Sequence, residues 1–305
     1  MTLHAPADEH AAHVRANRVG ILAMVAAMAC FIVNDALVKF ASQTMPAAQL
    51  IFVRGLVASV LVLAVAVAMG ATARIREIAR GWVATRAVID AVASMLFLAS
   101  LFHLPISSAT AINMTSPLII TVLAALLIGE RVRAPQWVAT GIGFVGVLLI
   151  IQPQAGGFNG YAVVCFLATM LLSVRDLLTR RVHVGIPSIL VTLSTTVSVT
   201  LLAGALSLLE GWGPIRAFDF GLLAIAGVFL AIAYFLIVRS TRRGDLSLVA
   251  PFRYTGLLFA TIVGYVVWDD VPNALAWCGI VLLIGSGIHV LRASGRGRAA
   301  STAPD

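Results

Sequence analysis

The sequence predicts an all-α polytopic membrane protein, with ten transmembrane helices arranged as two inverted five-helix repeats. Three observations carry that prediction: ten long apolar runs, polar residues that recur about 140 positions later, and arginines confined to alternate connections. Hydrophobic residues make up 60% of the 305 and charged residues 11%, whereas a soluble domain carries about 25% charged residues. A helix needs about 20 apolar residues to cross the hydrocarbon core. Runs of about that length lie at 19–41, 47–69, 82–103, 107–128, 135–151, 159–181, 187–209, 219–238, 246–268 and 274–291. The alternating segments of about ten residues that mark a lipid-spanning barrel are not visible. The first run is too long for a secretory h-region of about 7–15 residues. It also contains Asn34, Asp35 and Lys39, so it is expected to remain as a helix.

The repeat is carried by polar marks rather than by identity. Asn34-Asp35-Ala36-Leu37-Val38-Lys39 answers to Arg175-Asp176-Leu177-Leu178-Thr179-Arg180, and Met45-Pro46 to Ile186-Pro187, at an offset of 141. An offset of 140 carries Gly81 onto Gly221, Ser107 onto Ser247, Glu130 onto Asp270 and Trp137 onto Trp277. Duplicated membrane units place a transport site where the copies meet. The expected division is a tail at 1–18, a first repeat at 19–152, a second at 159–292 and a tail at 293–305.

Loop charge sets the orientation. The formal net charge is +8, yet the arginines do not gather into a nucleic-acid patch. One alternate set of connections, with the tails, holds nearly all of them, including Arg74, Arg76, Arg80, Arg131, Arg133, Arg181, Arg242 and Arg243, while the other set holds only Arg216. The positive-inside rule then puts both termini in the cytoplasm. Ten spans satisfy that parity, and five per copy force the second copy to enter upside down. Trp82, Trp137, Trp268 and Trp277 fall at span ends and Trp212 in a connection, as an interfacial belt requires.

Several short segments, in order, carry a family likeness. They are Arg86; Leu104-Pro105 with Ser108-Ala109-Thr110-Ala111; Ser116-Pro117; Gly129-Glu130 before Trp137; and Gly143 to Ile150. The second copy adds Val249-Ala250-Pro251-Phe252-Arg253-Tyr254-Thr255 and Asp269-Asp270-Val271-Pro272. Over about 19–292 the chain resembles the EamA-type transporters of the drug/metabolite transporter superfamily. The resemblance implies a cavity between the repeats and movement of small organic solutes. The stretches at 249–255 and 269–272 look similar to those of transporters for amphiphilic metabolites such as S-adenosylmethionine or riboflavin.

Charges inside a span cost about 2.5–3.5 kcal/mol each on insertion scales, so each marks a candidate site. Asp35 and Lys39 are four apart and share a helical face, which allows a pair; Asp176 and Arg180 repeat the arrangement. Two readings stand: structural ion pairs near helix ends, or polar gates on opposite sides of a cavity. Arg86 and Asp90 are also four apart, and Leu230 occupies the position matching Asp90. Asp90 is therefore a candidate for substrate contact or for proton exchange, since a buried carboxylate without a cation favours its neutral form. Asn113 matches Arg253 across the repeat. Pro117 and Pro251 should bend their spans by removing an amide donor, freeing the carbonyls of Asn113 and Ser247. Arg253 is a candidate anchor for an anionic group, and Tyr254 could stack on a ring. Arg175 is expected to look toward the cavity and away from Asp176, because sequence neighbours do not share a helical face. The substrate-binding candidates are therefore Asn34, Asp35, Asp90, Asn113, Arg175, Arg253 and Tyr254, with Lys39, Arg86 and Asp176 as gating or ion-pair residues.

Other chemistries find little support. Gly141-Ile142-Gly143-Phe144-Val145-Gly146 spells a dinucleotide pattern, but it lies inside an apolar run with no βαβ unit. Close helix packing explains it, as it does Gly279 with Gly285-Ser286-Gly287. Cys30, Cys165 and Cys278 have no metal or disulfide spacing, so no metal or cofactor is expected. The reading is a secondary transporter of a small zwitterionic or amphiphilic metabolite in a bacterial inner membrane, not an enzyme. A larger heteroaromatic cargo, riboflavin or S-adenosylmethionine, is the alternative. A membrane enzyme acting on lipid-linked substrate through Asp90 or Asp176 would want a nucleophile–base spacing that the sequence lacks.

Overall fold

In the computed structural model the described residues are 5–123, 125–126, 134–151, 159–179, 181–183, 185–243 and 250–301. The helices are α1 (Ala5–Ala41), α2 (Ala47–Ala68), α3 (Gly81–His103), α4 (Ile106–Asn113), α5 (Ser116–Leu123) and α6 (Ala134–Ile151) in the first half. The second half holds α7 (Gly160–Thr179), α8 (Ser188–Glu210), α9 (Ala217–Arg243), α10 (Thr255–Trp268) and α11 (Ala274–Ser301). A 3-10 helix, Ala71–Ala79, joins α2 to α3, and another, Ala250–Tyr254, leads into α10. No strand occurs among the described residues. Eight segments are long and apolar enough to cross a membrane, with α4 and α5 together making one of them, and two shorter apolar helices lie at Phe252–Trp268 and Ala274–His289. These correspond to the ten expected runs. The segments expected to be tails are in part helical, since α1 starts at Ala5 and α11 runs to Ser301.

Apolar side chains do not separate helices from lipid, so the helices associate through close packing and polar contacts. The pairing is symmetric under exchange of the repeats. Helix α1 packs on α9 and α7 on α3, while α2 packs on α8, α6 on α11 and α4 on α10. At two of these contacts glycine permits a close approach, to backbone in one and to an aromatic ring in the other. A Cβ on Gly146 of α6 would lie 2.7 Å from the carbonyl oxygen of Gly279 on α11, and one on Gly204 of α8 would lie 2.9 Å from the Phe52 ring. Gly141 and Gly285, by contrast, face open space. The glycine pattern of α6 therefore serves packing through Gly143 and Gly146 only.

Contacts between connections fix the direction of each helix. At one end of the bundle Gln49 exchanges hydrogen bonds with Gly213 (3.0 and 2.8 Å), Glu210 accepts from the Ala48 amide (2.9 Å) and Asn159 donates to the His103 carbonyl (3.0 Å). At the other, Arg74 donates to the Gly185 carbonyl (2.8 Å), Ser194 to that of Ile78 (2.7 Å) and Ser240 to that of Gly20 (2.7 Å). Helix α1 thus runs from the second end to the first, and its counterpart α7 runs the opposite way. The repeats are inverted.

The break expected at Pro117 is present. Met114 and Thr115 separate α4 from α5, one turn before the proline ring falls in the first turn of α5, where it is tolerated. The second copy changes helix type at the matching place, between Tyr254 and Thr255. Each break is held by the same device: the Thr115 hydroxyl donates to the Ile112 carbonyl and the Thr255 hydroxyl to that of Phe252, both at 2.7 Å. Ser247, whose carbonyl Pro251 was expected to free, lies outside the described residues.

Candidate substrate-binding site

Polar residues within the spans form two groups, one on α1 and α2 and one on α3, α7 and α8, and Tyr234 of α9 lies within the field of both. On α1, Asn34 is 1% exposed; its amide nitrogen donates to Asp35 Oδ1 (2.9 Å), and its Oδ1 accepts from Arg54 Nη1 of α2 (3.1 Å). Arg54 is buried and lies in the field of Asp35. On α3, Asp90 is 1% exposed and Oδ1 accepts from Arg175 Nη1 of α7. Arg175 also reaches Asp176, through Nε at 2.9 Å and Nη2 at 2.7 Å. Arg86 donates from Nε to the Thr179 hydroxyl (2.8 Å) and from Nη1 to the Thr195 hydroxyl (2.6 Å). Tyr234 of α9 lies within the field of Arg54, Arg86, Arg175 and Asp90 and edges onto Phe31 at 5.5 Å.

These residues lie at different depths in the bundle. Asp35 and Arg54 sit six and seven residues from the ends of α1 and α2 that meet at Met45-Pro46, while Arg86 and Asp176 sit near the opposite end of the bundle. Asp90, Arg175 and Tyr234 lie between them. Three arginines and three aspartates are therefore spread along the middle of the bundle.

Several expected pairings are corrected. Asp35 and Lys39 do not pair: Lys39 turns away and donates to the carbonyls of Leu101 (2.9 Å) and Leu104. There it neutralises the negative end of α3, with its ammonium 5.5 Å from the Trp268 ring centroid. Arg86 and Asp90 form no salt bridge either, because α7 packs against α3 and supplies Arg175 to the carboxylate. Arg175 does not turn away from Asp176; its long side chain curls back and bridges both aspartates. Arg180 lies outside the described residues. The lone-carboxylate premise for proton exchange at Asp90 does not hold at Oδ1, which Arg175 occupies.

The other expected residues lie at the paired helix breaks. Asn113 ends α4 half-buried, and Arg253 is half-buried with no hydrogen bond or ion pair among the described residues, so it is not tied to Asp35, Asp90 or Asp176. Tyr254 is buried against Gly287 of α11, and its hydroxyl has no hydrogen-bond partner. Sequence reasoning did not place Arg54, Thr179, Thr195 or Tyr234 among the candidates. One signal was available: Thr195 stands where the repeat has Arg54, so matching positions supply the two polar walls.

A recess of about 360 Å³ opens at the Lys39 end, lined by Lys39, Gln43, His103, Trp268 and Asp270 among others. Among the described residues no group of three or more side chains could hold a metal ion.

The EamA-like transporter family model matches residues 18–152 and again 160–292. The chain belongs to this family. It is 28% identical over 208 residues to a riboflavin transporter of Rhizobium johnstonii, covering 68% of this chain and 69% of that one. It is 27% identical over 280 residues to the pseudopaline exporter CntI of Pseudomonas aeruginosa, covering 90% and 96%. An S-adenosylmethionine uptake transporter of Rickettsia conorii is 24% identical over 187 residues, covering 61% and 63%. A crystal structure of another protein superposes with a TM-score of 0.65 at 19% identity, covering 92% of this chain and 99% of that one, which supports the fold alone. The family and these relatives are named as transporters rather than enzymes, and this EamA chain is a multi-pass membrane transporter of a small metabolite.

Proposed function

We propose that this EamA protein moves a zwitterionic or amphiphilic metabolite across the bacterial inner membrane by alternating access, in two repeats bounded near 19–152 and 159–292. One observation carries the reading: three arginines and three aspartates are arranged across the middle of the bundle. A site of balanced charge suits a solute bearing both signs, and each buried charge must be offset by a partner. Asn34, Asp35, Asp90 and Arg175 form the core of this site, with Asn113, Arg253 and Tyr254 at the adjoining breaks. Lys39 closes one end through its carbonyl contacts, and Arg86 with Asp176 the other. The names of the relatives support a larger heteroaromatic cargo, riboflavin or S-adenosylmethionine, as the second reading.

Comparing metabolites inside and outside cells with and without the gene tests the first reading. Amino acids or their derivatives should shift between compartments by several-fold; unchanged profiles would defeat it. Proton coupling belongs to the same proposal and rests on Asp90. An imposed pH gradient that leaves flux unchanged removes it.

Orientation is proposed with both termini in the cytoplasm, on the strength of the arginine-rich connections. In a background lacking Cys30, Cys165 and Cys278, cysteines placed at 76 and 242 should resist a membrane-impermeant maleimide in intact cells, and one at 43 should react. External labelling at 76 or 242 would reverse the assignment.

A further inference from the structure

Resting on that reading of the site, we propose that Arg86 and Asp90 together receive an α-amino-carboxylate head group, the carboxylate on Arg86 and the ammonium on Asp90. The three arginines are not equivalent, and only Arg54 is buried. Arg175 holds two carboxylates, and Arg54 bonds Asn34 and faces Asp35, although its Nε is buried without a hydrogen bond. Arg86 alone is held by hydroxyls, those of Thr179 and Thr195, and its Nη2 makes no hydrogen bond among the described residues. Asp90 shows the complementary deficit: Oδ2 is buried without a partner, although Oδ1 is bound to Arg175. A buried polar atom left unpaired costs free energy that a ligand can recover.

The two deficits share one face. Arg86 and Asp90 are four apart on α3 and hence neighbours on its surface. A single turn of α7 backs both, since Thr179 holds Arg86, Arg175 holds Asp90, and the Thr179 hydroxyl donates to the Arg175 carbonyl (2.9 Å). What remains unpaired, on one face of α3, is a guanidinium nitrogen of Arg86 and the buried carboxylate oxygen Oδ2 of Asp90. Guanidinium grips a carboxylate through paired, charge-assisted hydrogen bonds, and Asp90 Oδ2 can accept from an ammonium. Both groups sit on one carbon in an α-amino acid and in its larger derivatives, S-adenosylmethionine included. Riboflavin has neither, so this receiver separates the cargoes that the relatives' names suggest.

The test uses the whole protein in liposomes, with S-adenosylmethionine and its decarboxylated form, histidine and histamine, and riboflavin as probes. At least one carboxylated probe should enter, with its decarboxylated counterpart moving at under about one-tenth of its rate. Arg86→Lys keeps a cation but loses the paired geometry; it should raise the half-saturating concentration about tenfold while the maximal rate stays close to that of the parent. Equal movement of a probe and its decarboxylated form, movement of riboflavin alone, or unchanged half-saturation in Arg86→Lys would each overturn the receiver and leave transport standing. Flux of none of the five above protein-free liposomes would overturn the transport reading, and this one with it. The probe comparison needs no variant, so it decides the matter even if Arg86→Lys does not fold.

Discussion

Replacing Arg175 with leucine should remove most of the folded protein from the membrane. Arg175 of α7 joins Asp90 of α3 and Asp176 through separate nitrogens. Leucine would leave two carboxylates without their bonded cation, and breaking a buried ion pair by removing one partner costs about 3–5 kcal/mol. That is a large part of a typical domain stability of about 5–15 kcal/mol. Fluorescence-detected size exclusion of a tagged protein would read the monodisperse fraction. Adding Asp90→Asn to Arg175→Leu should restore part of it, because one stranded charge disappears. If the single variant matches the parent in yield and melting temperature, the bridge does not hold α3 to α7.

Valine at Gly279 should be nearly as damaging, for a different reason. Its α-carbon meets the backbone of α6 at Gly146, where a Cβ on the facing glycine would already lie 2.7 Å from a carbonyl oxygen. Overpacking of this kind costs about 1–3 kcal/mol when neighbours can move, and more here, because the obstructing atom is main chain. Valine at Gly285, which faces open space on the same helix, is the control and should leave melting temperature within about 2 °C of the parent, the small change expected away from packed sites. Equal loss in both variants would show that helix propensity, not the contact with α6, sets the cost.

The contrast between these two sites shows what the sequence carried. Spans and inversion were legible because lipid imposes them on composition: each helix must be apolar along its length, and an odd number of spans per copy reverses the second. The break at Pro117 was legible because proline lacks an amide hydrogen. Pairing was not. The one-turn rule put Arg86 with Asp90 and Asp35 with Lys39, since within a single helix those are the neighbours. Packing of α3 against α7 offered Asp90 a second arginine, and the end of α3 offered Lys39 free carbonyls. Long side chains choose among all the helices within reach, and separation along the chain says nothing of that choice. Tyr234 was passed over for the same reason, as a lone aromatic on α9 with no polar neighbour in sequence.

Under the proposed alternating access, the matched threonine clasps at Thr115 and Thr255 bear on how two facing conformations would compare in energy. A scaffold whose halves bend at equivalent places by the same hydrogen bond gives its two mirror arrangements almost the same backbone energy. Any resting preference must then come from side chains that the repeat does not share, such as Arg54 against Thr195 and Asp90 against Leu230. Moving a two-state population from 1:99 to 99:1 takes about 5.5 kcal/mol, a sum within reach of two buried polar contacts. On the alternating-access proposal, exchanging Arg54 with Thr195 is expected to shift the resting orientation toward the opposite side.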